Sequence, residues 1–200
     1  MELRILIADD ESLIRMNLRE ALSDHGYIVV GEASDGIGAV ALARQLRPDV
    51  IILDMKMPRM DGLEAARMIQ EEHIAPVLLL TAYSSRDLVE QSRIAGILGY
   101  LVKPIREGDL MPIIEVAHAR WVERIKRHRE LIDLRERLDT RRVIDRAKGY
   151  IMDAHGLREA DAFRKIQQLA MNSRRTMKEV AQAIIITQQL TDNGGLDAMW

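Results

Sequence analysis

Five polar side chains stand at or directly after the ends of short apolar runs, and together their types suit phosphoryl chemistry. They are Asp9, Asp10, Asp54, Thr81 and Lys103. Carboxylates that approach one another repel and raise one another's pKa unless a cation neutralises them, and Mg²⁺ prefers oxygen ligands of this kind. A hydroxyl and an ammonium beside Asp54 would bind extra oxygens placed on it. The set therefore predicts a carboxylate that accepts a phosphoryl group.

These groups can meet only if parallel strands deliver them to one edge of a sheet. The apolar runs predict strands at 3–8, 27–33, 49–54, 76–81 and 99–102. Helical patterns between them begin at Ser12 (as a cap), Gly36, Leu63 and Ser85, and end near Gly26, Pro48, Glu72 and Gly96. Alternating strands and helices predict a parallel sheet covered by helices on both faces, with ligands at the carboxyl ends of the strands.

The 200-residue chain carries a net charge of −2 that is unevenly distributed. Residues 1–119 hold 12 Lys and Arg against 19 Asp and Glu, whereas residues 120–200 hold 17 against 12. An acidic half followed by a basic half indicates two modules, the second of which tolerates a polyanion. There is no cysteine for disulfides or thiolate metal sites, and no apolar run reaches the ~20 residues of a membrane span. We therefore expect a cytoplasmic protein without membrane contact.

Residues 1–119 resemble the receiver domain of two-component response regulators. The resemblance is carried, in order and spacing, by Asp9-Asp10, Asp54, Met57-Pro58, Asp61-Gly62, Thr81-Ala82 and Lys103-Pro104. It implies an α/β, flavodoxin-like fold with a five-stranded parallel sheet of order 2-1-3-4-5, and phosphorylation of Asp54 by a sensor histidine kinase. Mg²⁺ would bind Asp10, Asp54 and the backbone carbonyl of Lys56 directly. Asp9 would assist through water.

The same resemblance assigns the response to phosphorylation to three further residues. Thr81 would hydrogen-bond the phosphoryl group, Lys103 would pair with it, and Tyr100 holds the position of the family's switch aromatic. Because phosphorylation adds charge and acceptor oxygens, Thr81 would move and Tyr100 would fill the vacated space. We expect the surface of helix 86–95 and strand 99–102 to change and to form a homodimer. Whether phosphorylation assembles this dimer or rearranges an existing one stays open.

A long helix is predicted to lead from the acidic half into the basic half. It begins at Glu107, accommodates Pro112 near its first turn, and ends at Gly156. Residues 120–141 form a helical connector within it. The apolar spacing of the connector fits a coiled coil and simple core packing equally, and both alternatives stay open.

The C-terminal end reads as a small all-α domain of three helices. Beyond the long helix, a second helix is predicted at 159–171 and a third after the capping-box pair Thr176 and Glu179. This end resembles the ANTAR domain, the RNA-binding output module of transcription antitermination regulators. The matching segments are Arg142–Met152, His155–Leu157, Glu159–Phe163, Leu169–Met171 and Val180–Ala181. The resemblance runs from about Arg142 to Thr187, and we predict a domain at 142–190 followed by a disordered tail at 191–200. It implies binding of leader-RNA hairpins that prevents transcription termination.

Basic residues near the helix ends are the candidate RNA contacts. They are Arg142, Lys148, Arg174, Arg175 and Lys178. Arginine and lysine would contact phosphates, while hairpin loops offer unstacked bases. Phe163 lies on an apolar stripe, and we expect it in the core rather than stacked on a base.

Three other functions fit parts of the pattern. A DNA-binding helix-turn-helix output is one alternative, and control of a partner protein is another; gel shifts on RNA and DNA would distinguish them. An aspartate-nucleophile hydrolase is disfavoured, because such an enzyme usually has a second acid close after its nucleophile, and Lys56 stands two residues after Asp54. We therefore predict phosphoacceptor chemistry on Asp54 alone and no enzymatic turnover.

Overall fold

The computed structural model describes residues 2–82 and 97–192, and the chain divides into two compact units, Met1–Lys126 and Arg127–Trp200. The predicted helix from Ser85 to Gly96, with its surface at 86–95, and the tail residues 193–200 lie outside the described residues. The division between the units falls inside the predicted connector. The domain limits at 119 and 141 therefore stay predictions.

Five parallel strands form one sheet, as predicted. They are β1 (Arg4–Ala8), β2 (Ile28–Ala33), β3 (Val50–Asp54), β4 (Val77–Thr81) and β5 (Gly99–Val102). Their order in the sheet is β2-β1-β3-β4-β5, which confirms the flavodoxin-like topology. Thr81 pairs with Val102, and Asp54 pairs with the residue just before Thr81. Neighbouring strands therefore end at nearly the same level and bring their polar residues to one edge.

The sheet is covered by α1 (Ser12–Asp24), α2 (Gly36–Leu46), α3 (Gly62–Glu71) and the beginning of α4 (Glu107–His155). The carboxylates of Asp35 and Asp61 cap α2 and α3 by accepting backbone hydrogen bonds. The prediction that Ser12 caps α1 is wrong. Glu11 is the cap, because its carbonyl already accepts the first helical hydrogen bond from Arg15, and Ser12 lies inside the first turn.

Both faces of the sheet are buried, because alternate residues of each strand point to opposite sides. One face packs against α2 and α3 through Leu6, Ala8, Ile51, Leu53, Val77 and Leu79. The other packs against α1 and the beginning of α4 through Ile5, Ile7, Ile52, Leu78 and Leu80. Each large side chain of this kind contributes roughly 1.5–3 kcal/mol when fully buried. The strands that carry the polar edge are therefore firmly held.

The second unit is the predicted three-helix arrangement, formed by the C-terminal part of α4, α5 (Glu159–Ser173) and α6 (Met177–Asp192). Its buried core consists of Ala147, Ile151, Ala162, Ile166, Ala170, Val180 and Ala181. Gly156, at φ 62°, follows the end of α4. The predicted capping box is present: Thr176 Oγ1 accepts from the Glu179 N–H at 3.2 Å, and Glu179 Oε2 accepts from the Thr176 N–H at 2.7 Å.

Two predictions for the second unit are wrong. Helix α6 extends to Asp192, so Thr191 and Asp192 belong to the helix and not to the predicted tail. Phe163, expected in the core, is 41% exposed. The buried stripe of α5 passes through Ala162 and Ile166, and Phe163 is turned about 100° from Ala162 and about 60° from Ile166 around the helix axis.

Much of the connector region of α4 is exposed to solvent. Residues 126–139 are exposed at every position, and four large apolar side chains there are more than half exposed: Leu131, Ile132, Leu134 and Leu138. Among the described residues these four belong to no core cluster, which disfavours simple core packing and leaves the coiled coil a prediction. Although α4 has 49 residues, neither it nor any other helix in the described ranges combines the length and apolar character needed to cross a bilayer.

Candidate functional site

The carboxylates of Asp9, Asp10 and Asp54 meet at the carboxyl edge of the sheet. One oxygen from each lies within 4.8 Å of the others, which is close enough for the three to share a metal ion. Asp9 and Asp54 are buried, whereas Asp10 is exposed. Oxygen donors at this spacing suit Mg²⁺, which takes few protein carboxylates and keeps several waters. The residues present therefore fit this ion.

Lys103 bridges two of these carboxylates. Its Nζ lies 2.7 Å from Asp9 Oδ2 and 2.6 Å from Asp54 Oδ1. Its backbone N–H donates to the Thr81 carbonyl at 2.8 Å, which fixes the start of the loop after β5. Burial alone would lower the pKa of Lys103, but the hydrogen bonds and charges of Asp54 and Asp9 outweigh burial and raise it. Lys103 is therefore a firmly protonated cation at this edge.

The charge of Asp54 is only partly compensated. Burial raises the pKa of Asp54; Lys103 opposes this shift, and the nearby charge of Asp9 adds to it. The Lys56 N–H donates to Asp54 Oδ2 at 2.8 Å, so both carboxylate oxygens have a partner. A carboxylate held in place but still costly to ionise is a typical feature of a functional site.

A tight turn holds the backbone behind Asp54. The Gly62 N–H donates to the Met55 carbonyl at 2.9 Å, and a Cβ at Gly62 would lie 2.0 Å from the Asp54 carbonyl oxygen. Arg59 adopts a left-handed backbone (φ 66°) and forms an ion pair with the buried Asp35 carboxylate. The Asp-Gly pair in the sequence predicts the turn, but no local pattern indicates the ion pair that ties it to α2.

Arg15 supports the loop that carries Asp9 and Asp10. Its guanidinium donates to the Asp9 carbonyl at 2.7 Å and to the Asp10 carbonyl at 3.4 Å. The same guanidinium pairs with Glu32 on β2 at 3.4 Å. In the loop itself, Asp9 Oδ1 accepts from the Glu11 N–H at 2.9 Å. Sequence reasoning missed Arg15, because a single arginine on an amphipathic helix is normally a solvated residue.

Thr81 and Tyr100 have different surroundings. Thr81 is buried at the end of β4, one residue beyond the partner of Asp54. Tyr100 lies on the edge strand β5, where it pairs with Leu79 of β4, and 41% of the tyrosine is exposed. The structure thus brings Thr81 to the acidic edge and places Tyr100 earlier along its strand. Their roles in switching stay predictions.

Lys148, one of the predicted RNA contacts, lies between two carboxylates. Its Nζ is 2.7 Å from Asp145 Oδ1 and 2.6 Å from Glu159 Oε1, and its side chain is only 13% exposed. Hydrogen bonds to Asp145 and Glu159 raise the pKa of Lys148. Because Glu159 begins α5, this cation links α4 to α5.

The other predicted RNA contacts lie nearer the surface. Arg142 and Lys178 line a groove of about 600 Å³ between α4 and α6, where Lys178 Nζ is 3.2 Å from Asp139 Oδ2. Arg174 and Arg175 are exposed at the turn between α5 and α6, Arg174 with a left-handed backbone. Which of these residues contact RNA stays a prediction.

A parallel sheet of this order, with three carboxylates and a lysine at its carboxyl edge, is the arrangement of a receiver domain. The family model of the response regulator receiver domain matches residues 5–115, and that of the ANTAR domain matches residues 133–185. The chain belongs to the response regulators, with a receiver domain followed by an ANTAR domain. It is 51% identical over 184 residues to the transcriptional regulatory protein PdtaR of Mycobacterium tuberculosis. The aligned residues make up 92% of this chain and 90% of that protein.

Two solved receiver structures each cover about 60% of the chain. The signal receiver domain of the response regulator NarL from Mycobacterium tuberculosis is 32% identical to this chain, with a TM-score of 0.54. The match covers 60% of this chain and 96% of the NarL domain. The response regulator domain of Thermotoga maritima CheB is 28% identical, covers 60% and 98%, and has a TM-score of 0.56. A protein-glutamate methylesterase/protein-glutamine glutaminase of Hahella chejuensis is 41% identical over 112 residues, 56% of this chain and 32% of that protein. Receiver similarity alone therefore does not define an output.

Proposed function

We propose that a sensor histidine kinase phosphorylates this response regulator on Asp54, and that its ANTAR domain then binds leader-RNA hairpins and prevents transcription termination. The observation that supports the proposal is the contact of Lys103 with both Asp9 and Asp54 at an acidic sheet edge, in a chain that also carries an ANTAR domain. The acidic edge would receive the signal, and the ANTAR domain would deliver it. The proposed division is a receiver at 1–119, a connector at 120–141 and an RNA-binding domain at 142–190.

In the proposed reaction, a carboxylate oxygen of Asp54 attacks the phosphorus of a phosphohistidine. An O–P bond forms, the P–N bond breaks, and the electron pair leaves with the imidazole of the kinase, which takes up a proton. Lys103 holds a positive charge where the transferred oxygens arrive, and Thr81 offers them a hydroxyl. The transfer ends on the protein's own Asp54, so we propose no turnover of a separate substrate.

Mg²⁺ would be held directly by Asp10, Asp54 and the backbone carbonyl of Lys56, and through water by Asp9. Bound there, the ion neutralises the crowded carboxylates and adds positive charge for the phosphoryl oxygens. The contacts of Arg15 with the backbone of the Asp9–Asp10 loop keep this donor set in place.

Phosphorylation is further proposed to act through a homodimer, with Thr81 and Tyr100 rearranging at the receiver. Exposed Leu131, Leu134 and Leu138 recur at i, i+3 and i+7, the apolar spacing of a coiled coil. If two copies paired in parallel in that register, Glu130 of one copy would face Arg135 of the other, a favourable pair. Formation of a new dimer and rearrangement of an existing one both fit these observations.

Binding to a two-hairpin leader RNA, with and without a small phosphodonor and Mg²⁺, tests the proposal. We expect phosphodonor to tighten binding by wild-type protein and to have no effect on Asp54→Ala. Glu64→Gln, which removes an exposed acid near the site, is the matched control and should respond like wild type. Equal binding under all conditions would detach the RNA module from Asp54. Binding to DNA or to a co-purifying protein instead would favour the alternative outputs.

A further inference from the structure

Phe163 is the one phenylalanine of the chain, and it lies at the surface of the second unit. Its 41% exposed side chain lines a groove of about 560 Å³ between α4 and α5, together with Ile144. The core contacts of α5 are made by its neighbours Ala162 and Ile166. An exposed aromatic ring in a groove that the core does not require is suited to binding a flat partner.

Cations line the α4 wall of the same groove. Arg137, Arg141 and Lys148 recur at i, i+4 and i+11, so that they follow one side of the helix. The side chains of Arg137 and Arg141 are 77% and 83% exposed, and each pairs with a carboxylate one turn away, Asp133 at 2.8 Å and Asp145 at 3.8 Å. Exposed helix pairs of this kind are weak and are readily exchanged for a phosphate, which guanidinium binds in a bidentate manner.

We propose that this groove receives an unstacked base of an RNA loop, which stacks on Phe163 while Arg137 and Arg141 bind the flanking phosphates. The proposal rests on the proposed function and names the contact surface for it. Lys148 acts here as a positioning residue, since its bridge from Asp145 to Glu159 holds the two walls of the groove together.

The lining of the groove favours RNA over a protein segment. Three cations, three carboxylates (Asp133, Glu136 and Asp145) and Thr140 surround only two apolar side chains, Ile144 and Phe163, which is too narrow an apolar strip for an amphipathic helix. A base needs one ring face and polar partners at its edge, and Glu136 and Thr140 can accept from its amino groups. By contrast, the described groove that contains Arg142 and Lys178 is lined by no aromatic side chain.

Replacement of the ring is the first test. The probe is an RNA that the wild-type full-length protein selects from a stem–loop library with a fixed stem and a randomised loop. Phe163→Leu keeps apolar bulk without a ring and is expected to weaken binding about tenfold, whereas Phe163→Tyr should stay within about twofold. Leu169→Ala, at a 44% exposed position of the same helix, is the control and should bind like wild type. Circular-dichroism melting verifies that each variant is folded.

Salt dependence separates phosphate contacts from stacking. Arg141→Gln should reduce the slope of log affinity against log salt by about 1, whereas Phe163→Leu should weaken binding without changing the slope. Arg129→Gln makes the same charge change at an exposed position of α4 that lines neither groove, and its slope should stay closer to that of wild type.

Each remaining outcome overturns a defined step. If folded Phe163→Leu binds the selected RNA like wild type, the base does not stack on Phe163 and the groove inference fails, while the proposed function stands. A loss of affinity in Arg142→Gln rather than in Arg141→Gln would move the interface to the groove between α4 and α6, which Arg142 lines. If the wild-type protein enriches no RNA but retains a protein partner, the proposed function itself fails.

Discussion

Replacing Gly149 with alanine is expected to stabilise the second unit by about 1 kcal/mol, the difference in intrinsic helix propensity between the two residues. Gly149 lies inside α4, six residues before its end at His155. A Cβ added there meets no heavy atom within 4 Å, so no steric cost is subtracted from the gain. For a domain of 60–100 residues, about 1 kcal/mol corresponds to a rise in Tm of about 4–8 °C.

Urea and thermal unfolding, followed by circular dichroism in the helical region of the spectrum, measure this gain. Gly108→Ala is the matched control, because a Cβ there also meets no heavy atom within 4 Å. Gly108 stands in the first turn of α4, where the helix is less constrained, so its substitution should give a smaller gain. Destabilisation by Gly149→Ala in the absence of aggregation would refute the reasoning, since it would mean that α4 is not a regular, uncontacted helix at this residue.

Three further predictions concern single hydrogen bonds and ionisable groups. Thr176→Ala should cost about 1 kcal/mol by chemical denaturation because it removes the hydroxyl that caps the Glu179 N–H, and Thr176→Ser should restore most of that loss. In an absorbance titration, Tyr27 should ionise near pH 12, because burial and its hydrogen bond to Glu115 raise its pKa to about 12; this contribution to stability is present below the ordinary tyrosine pKa and lost as pH rises through 12. Tyr27→Phe should abolish this late step. Asp54→Asn should raise the urea midpoint at neutral pH, because burial raises the pKa of Asp54, and the gain should disappear on acidification below the unfolded carboxyl pKa of about 4; a constant gain at all pH values would contradict this origin.

Much of the receiver could be predicted because its signals are local. Each strand is a short apolar run, and a parallel sheet places the ends of such runs at one edge, so Asp9 and Asp54 had to approach each other once the strand order was right. The capping box at Thr176 was equally readable, since its two side chains bond to backbone groups within one helical turn. The side-chain roles of Thr81 and Tyr100 are not decided by such signals.

The remaining features depend on contacts between distant parts of the chain. Two contacts form only after separate elements have packed: the ion pair of Arg59 with Asp35, and the hydrogen bond of Arg15 to the Asp9 carbonyl. No periodic pattern in the sequence predicts either contact. Phe163 was misplaced because an apolar stripe on a helix is wider than the strip that its neighbours cover.

Both outer strands of the sheet are built in ways that discourage aggregation. At one side, β5 has only four residues and is followed by Lys103 and by Pro104, which has no N–H to offer a further strand. At the other side, β2 contains Glu32, paired with Arg15 and Arg19, and its register against β1 shifts between Ile5 and Leu6. Short, charged and irregular edges are poor templates for another chain. For a protein whose dimerisation is proposed to follow phosphorylation, such edges would disfavour association through the strands of the sheet.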